Sequence, residues 1–167
     1  MSQAESSRVD VISALVTIFD ELLHGPSREA AWVLNPDDPG ILRSLDRLSA
    51  DQASAKGSVG AASVAAHVDH LRYGFELLNR WSHGEDPFAG ANYSASWERN
   101  TVSEAEWATR REALRQQAEV WRNALERPHS LSDLELTGVL SSIAHLAYHL
   151  GAIRQIARST RGPAAHD

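Results

Sequence analysis

The chain has no cysteine, a single methionine and a single lysine, Lys56. The missing cysteine excludes disulfides, thiolate zinc sites and a cysteine nucleophile together. It also agrees with a reducing compartment. With lysine almost absent, arginine carries the positive charge, and the net charge is −6 with histidine neutral. No basic stripe stands out, so nucleic acid is not an expected partner. The first residues lack the basic start and apolar core of a secretory signal, and the expected location is cytoplasmic. The longest uncharged apolar-rich run, 136–153, approaches the length of a membrane span. It carries Thr137, Ser141, Ser142, His145, Tyr148 and His149. That many polar groups are costly in lipid, so we read a buried helix of a soluble protein and expect no membrane partner.

What is present fits one compact domain of 167 residues. A chain this long buries a core without disulfides or a structural metal. A metal bound here is therefore expected to be functional. Residues 1–8 read as a flexible start, 9–160 as the domain and 161–167 as a flexible tail. The first long helix runs from about Asp10 to Leu23, with Val11, Leu15, Ile18 or Phe19, and Leu22 as its stripe, and Gly25-Pro26 ends it. A long connection follows, with the turn-rich run Asn35-Pro36-Asp37-Asp38-Pro39-Gly40 and a short helix over 41–48. The second long helix starts near 58–63, ends near His83, and carries Val64, Val68, Leu71, Phe75 and Leu78. Residues 91–102 show no period and read as a loop. Ser103 with Glu106, and Ser132 with Glu135, have capping-box spacing and open the third and fourth helices. These run to about Arg127 and Arg158. Four long amphipathic helices with one long crossover predict an all-α four-helix bundle.

The candidate chemistry lies in the histidines. At 100° per residue, His67 falls at the edge of the core stripe of its helix, beside Val64 and Leu71. His70 turns further out and reads as a surface residue, with Asp69 on the far side. On the fourth helix Leu136, Val139, Leu140, Ile143, Ala147 and Leu150 make one face, and His145 and His149 project from the other. Inward imidazoles need partners, because an unpaired polar group is costly to bury. A histidine pair at i and i+4 brings two nitrogens onto one ion, and a third histidine from a facing helix completes three neutral ligands. Three protein ligands leave positions open for water or substrate. Imidazole suits Zn, Ni, Fe or Cu alike. Position 146 is Leu, so the adjacent glutamate base of HExxH helices is absent. The plain alternative is a buried pair bonded to backbone or carboxylate.

The remaining histidines read as structural or solvated. His24 and His83 sit at helix ends, His129 in a turn and His166 in the tail. Glu21 to His24 has di-iron spacing, but its only counterpart, Glu126 to His129, is broken by Pro128, and that class is excluded. The five tryptophans, Trp32, Trp81, Trp97, Trp107 and Trp121, read as core or interface fillers before pocket walls.

Two segments, Val64-Ala-Ala-His67-Val-Asp-His70-Leu71 and His145-Leu-Ala-Tyr-His149-Leu-Gly151-Ala-Ile153, resemble the DinB-like superfamily. That superfamily is named for a damage-inducible bacterial protein. Helix order and the long first crossover extend the resemblance over about residues 8–160. It implies up-down-down-up topology, frequent homodimers, and one divalent metal, usually zinc or nickel, on His67, His145 and His149. One departure is Ala152, where family members often carry glutamine. The resemblance implies a metal-dependent enzyme acting on a small molecule, as a thiol S-transferase using a low-molecular-weight thiol. Metal-assisted hydrolysis is the second reading, with Asp20 or Glu21 as a candidate base. A non-catalytic, stress-related binding protein is the third. The sequence assigns no general acid or base and selects no substrate.

Overall fold

A computed structural model describes residues 11–58, 61–127 and 131–160. The expected flexible ends, together with His129 and His166, lie outside the described residues. The fold is all-helical. Four long helices, α1 (Val11–His24), α4 (Val64–Trp81), α6 (Glu104–Leu125) and α7 (Asp133–Ile156), are joined by three short ones. These are α2 (Ile41–Leu45), α3 (Ala50–Ser54) and α5 (Ser94–Glu98). Among the described residues the only β pairing is an isolated bridge between Lys56 and Ser63.

The long helices start where local chemistry places them. Ser103 and Ser132 each accept from the backbone N–H three residues on, while Glu106 and Glu135 return the bond. Ser63 caps α4 by accepting from the Ala66 N–H. The helix α5 lies where a loop was expected. Its five residues are too short to show a period, and Tyr93 before it makes no side-chain cap.

Phe19, Leu22, Val68, Leu71, Phe75, Trp107, Leu114, Leu146 and Leu150 form the centre of one core. Helices α4 and α7 run antiparallel, since His67 meets His149 near one end and Trp81 meets Gly138 near the other. A methyl group on Gly138 would stand 2.7 Å from the Trp81 ring, so the missing side chain sets that close approach. Helices α1 and α6 are also antiparallel, linked by the Asp20–Arg122 ion pair and by a His24–Glu119 contact at 3.3 Å. Helices α4 and α6 run the same way, with Arg110 donating to the Ala65 carbonyl and Asn79 to that of Gln117.

The crossover from α1 to α4 is tied down by buried charge. Glu21 is buried, and its carboxylate accepts the N–H groups of Trp32, Val33 and Leu34 at 2.6–3.1 Å. Asp20 takes both forks of Arg122, at 2.7 and 2.9 Å. Both carboxylates are thus committed to holding chain, which corrects the expectation that either serves as a general base. Buried Asp38 receives Arg154 of α7 at 3.0 Å, and the same guanidinium donates to the Pro39 carbonyl.

One further expectation changes. Leu140 is 50% exposed rather than part of the core face. The buried side of α7 is Val139, Ser142, Ile143, Leu146, His149, Leu150 and Ile153. Its other side, with Leu134, Leu140, Ala144, His145, Tyr148 and Gly151, is exposed and, past Asp133 in the first turn, carries no Asp, Glu, Lys or Arg. Length and composition alone would let α7 cross a membrane.

Candidate metal centre

The first two turns of α4 face the second half of α7, and four imidazoles meet there. The Nδ1 atoms of His67 and His149 lie 2.8 Å apart. The Nε2 atoms of His70 and His145 lie 3.1 Å apart. One ring nitrogen from each of His70, His145 and His149 falls within 4.8 Å of the other two. The structure therefore brings His145, His149 and both histidines of α4 to one place. His70 is the residue the sequence reading set on the surface; it is 7% exposed. Asp69, assigned to the far side, is buried as well, and pairs with Arg72 and Arg99. His149 is 2% exposed, His67 is half-buried, and His145 opens to solvent.

A wall from outside the two helices explains why His70 is covered. Trp97 of α5 stacks on His70 at 4.4 Å between ring centroids and on His149 at 6.0 Å, and meets His67 edge-on. Asn100 fixes this wall. Its carboxamide accepts the Ser63 N–H at the start of α4 and donates to the Trp97 carbonyl. Its own carbonyl accepts the Ser63 hydroxyl. Arg110 of α6 stitches the same join by donating to the carbonyls of Ala65 and Arg99. Tyr93, packed on Tyr73, lies 5.7 Å from His70, and exposed Tyr148 flanks His149 on the open side. Sequence reasoning left Trp97 among the core fillers. Residues 91–102 carry no motif that points to a site, because this wall is built by contacts far apart in the chain.

The electrostatics keep the cluster uncharged. Burial, reinforced by the neighbouring imidazoles, pulls His149 down to about 3 and His70 to about 4 from the ordinary 6.5. Burial lowers His67 and His145 too. At neutral pH each ring thus offers one N–H and one lone pair, the form in which imidazole binds metal. Two nitrogens remain without a hydrogen-bond partner although buried, His149 Nε2 and His70 Nδ1. Leaving such a group unpaired costs about 1–3 kcal/mol. A buried nitrogen without a hydrogen-bond partner, His149 Nε2, beside two more neutral imidazoles, fits a bound cation.

These shifts predict how the metal-free protein responds to acid. The folded pKa values of His70 and His149 lie below the unfolded value of 6.5. Between 6.5 and about 3 the unfolded chain binds more protons than the folded one. The contribution is complete above about 6.5 and is lost as the pH falls towards 4 and then 3. Thermal midpoints of chelator-treated protein should fall across this window. The fall should be shallower when His70 and His149 are both replaced by Gln.

His24 ends α1 and pairs with Glu119, while His83 follows α4 and donates from Nδ1 to the Asn79 carbonyl at 2.7 Å. Neither joins the cluster. No family model, curated protein or solved structure matches the chain. The reading of this site therefore rests on its own geometry.

Proposed function

We propose that this chain is a DinB-like, metal-dependent enzyme that holds one divalent cation, zinc or nickel, between α4 and α7 and acts on a small molecule. The observation that carries it is the convergence of neutral imidazoles from two helices, with the Nε2 of His149 buried and unpartnered. His145 and His149 are the α7 ligands, and a histidine of α4 is the third; the family resemblance puts His67 in that place. The directions of the four long helices support the up-down-down-up bundle: α6 opposes α1 and runs with α4, and α7 opposes α4.

A bound divalent cation lowers the pKa of a small-molecule thiol or of water and so supplies thiolate or hydroxide near neutral pH. The chain itself supplies the rest. Trp97 closes the inner side against water, and the exposed His145 and Tyr148 leave the outer side as the way in. With no cysteine in the sequence, a reacting thiol has to arrive as a ligand. The commitment of Asp20 and Glu21 to Arg122 and to backbone N–H groups favours thiol transfer over hydrolysis, which needs a base at the site. The exposed face of α7, without an Asp, Glu, Lys or Arg after Asp133, supports a homodimer. A cysteine-free chain suits a cytoplasmic location.

The test is conjugation of a low-molecular-weight thiol to a panel of electrophiles by chelator-stripped protein, with and without added nickel or zinc. Turnover should need metal and vanish in His149→Ala. An unchanged rate in that variant rejects the proposal. Ester or amide cleavage without thiol would favour the hydrolase, and metal binding with no turnover across the panel would favour the binding protein.

A further inference from the structure

We propose that His70 is the α4 ligand of this cation and that His67 is a positioning residue, which holds the His149 ring by a hydrogen bond to Nδ1. This rests on the reading that α4 and α7 hold a divalent ion. The assignment departs from the set the resemblance implies, and the geometry of this chain is what carries it.

His70, His145 and His149 each bring a nitrogen within 4.8 Å of the other two, and His67 is not one of that set. The His70 and His145 Nε2 atoms are 3.1 Å apart. Two imidazole nitrogens on one zinc-like ion, at about 2.0–2.1 Å from it, stand roughly 2.9–3.4 Å apart for angles of about 90–109°. The observed spacing therefore matches one edge of a coordination shell.

The 2.8 Å contact between His67 and His149 lies close to the same range, so the two readings must be told apart by the second nitrogen of His149. If both residues bound the ion through Nδ1, the proton of His149 would sit on Nε2. That atom is buried and has no acceptor. If His149 instead donates from Nδ1 to His67 Nδ1, its lone pair lies on Nε2, free for the ion. Ligating histidines commonly donate their other N–H to a fixed acceptor, which sets tautomer and ring orientation. His67 is placed for that role: its Nδ1 meets His149, and its ring is held edge-on by Trp97 at 5.3 Å. The proton of His67 then sits on Nε2. His70 Nδ1 lacks a partner in either arrangement and does not discriminate.

The experiment uses cobalt(II) as the probe on chelator-stripped full-length protein. Stoichiometry, competition affinity and the visible ligand-field spectrum are measured for wild type, His67→Gln, His67→Ala and His70→Gln. Wild type should bind one equivalent. His70→Gln should lose on the order of a hundredfold or more in affinity and change the spectrum, as a lost ligand does. His67→Gln keeps a hydrogen-bond acceptor, so it should keep stoichiometry and spectrum with affinity within about tenfold. His67→Ala should weaken binding by roughly 10–100-fold, the range of an orienting partner. Imidazole nitrogen NMR of zinc-loaded wild type gives a second readout without any substitution. His70 and His149 should ligate through Nε2, with His67 Nδ1 unmetallated. A His67→Gln variant that loses the ion while His70→Gln keeps it overturns the assignment, as does a metallated His67 in the NMR. Failure of the wild type to bind cobalt overturns the metal reading itself, and this assignment with it.

Discussion

Replacing His149 by alanine is expected to abolish metal binding and the stabilisation that binding brings. A ligand present at about 100–1,000 times its Kd adds roughly 2.7–4.1 kcal/mol to the folded state. For a chain of this size that corresponds to a rise of about 5–15 °C in Tm. Stripped wild-type protein should gain this shift on adding nickel or zinc, and His149→Ala should not. The same substitution should move the metal-free Tm by much less, because two effects oppose. It removes a buried ring whose Nε2 has no partner, and it leaves a small cavity beside Trp97 and His70. Elemental analysis and paired melts of the two proteins check both halves. A metal-dependent shift that survives in His149→Ala removes the basis for the functional reading.

Gly40→Ala is expected to be the most damaging conservative change in the crossover. A methyl group there would lie 2.4 Å from the Gly25 nitrogen and 2.5 Å from the His24 nitrogen and carbonyl carbon. All three are backbone atoms at the end of α1, so no side chain can swing away. Gly25 is itself in the left-handed region, at φ 109°, and an approach from Gly40 cannot be absorbed by bending it. The loss should reach about 3 kcal/mol, the upper part of the overpacking range, or about 6–12 °C in Tm. Gly74→Ala provides a control of opposite sign. Nothing lies within 4 Å of a methyl group at Gly74, which sits inside α4. Alanine there should raise stability by about 0.4–1 kcal/mol, through helix propensity and a stiffer unfolded chain. Denaturant unfolding of both variants reads the contrast directly.

What the sequence made legible was local. The capping boxes at Ser103 and Ser132 need only four neighbouring residues, and they start α6 and α7 where the spacing places them. The pairing of His145 with His149 is a matter of helical geometry, and their meeting with α4 followed once both helices were assigned to one core. Burial of His70 was not legible. It depends on Trp97, which is 27 residues away and is brought in by Asn100 bonding to Ser63. The exposure of Leu140 was missed for the converse reason. A helical stripe wide enough to include it was drawn on apolar character alone, whereas the faces of α1 and α4 bury only the narrower strip around Val139, Leu146 and Ile153. The roles of Asp20 and Glu21 turn on partners in α6 and in the crossover, which spacing along α1 does not reveal.

The stacking of Trp97 on His70 gives the protein an optical probe of its own. Trp107 and Trp121 have their indole N–H groups bonded to the Leu48 carbonyl and the Ser142 hydroxyl, so their emission reports the core. Trp97 touches the imidazole cluster on its face. A paramagnetic ion entering there should quench that fluorophore by proximity, while the emission of the Trp97→Phe protein should change far less on the same addition. Occupancy of the centre can thus be followed by light, without any label and before a substrate is known.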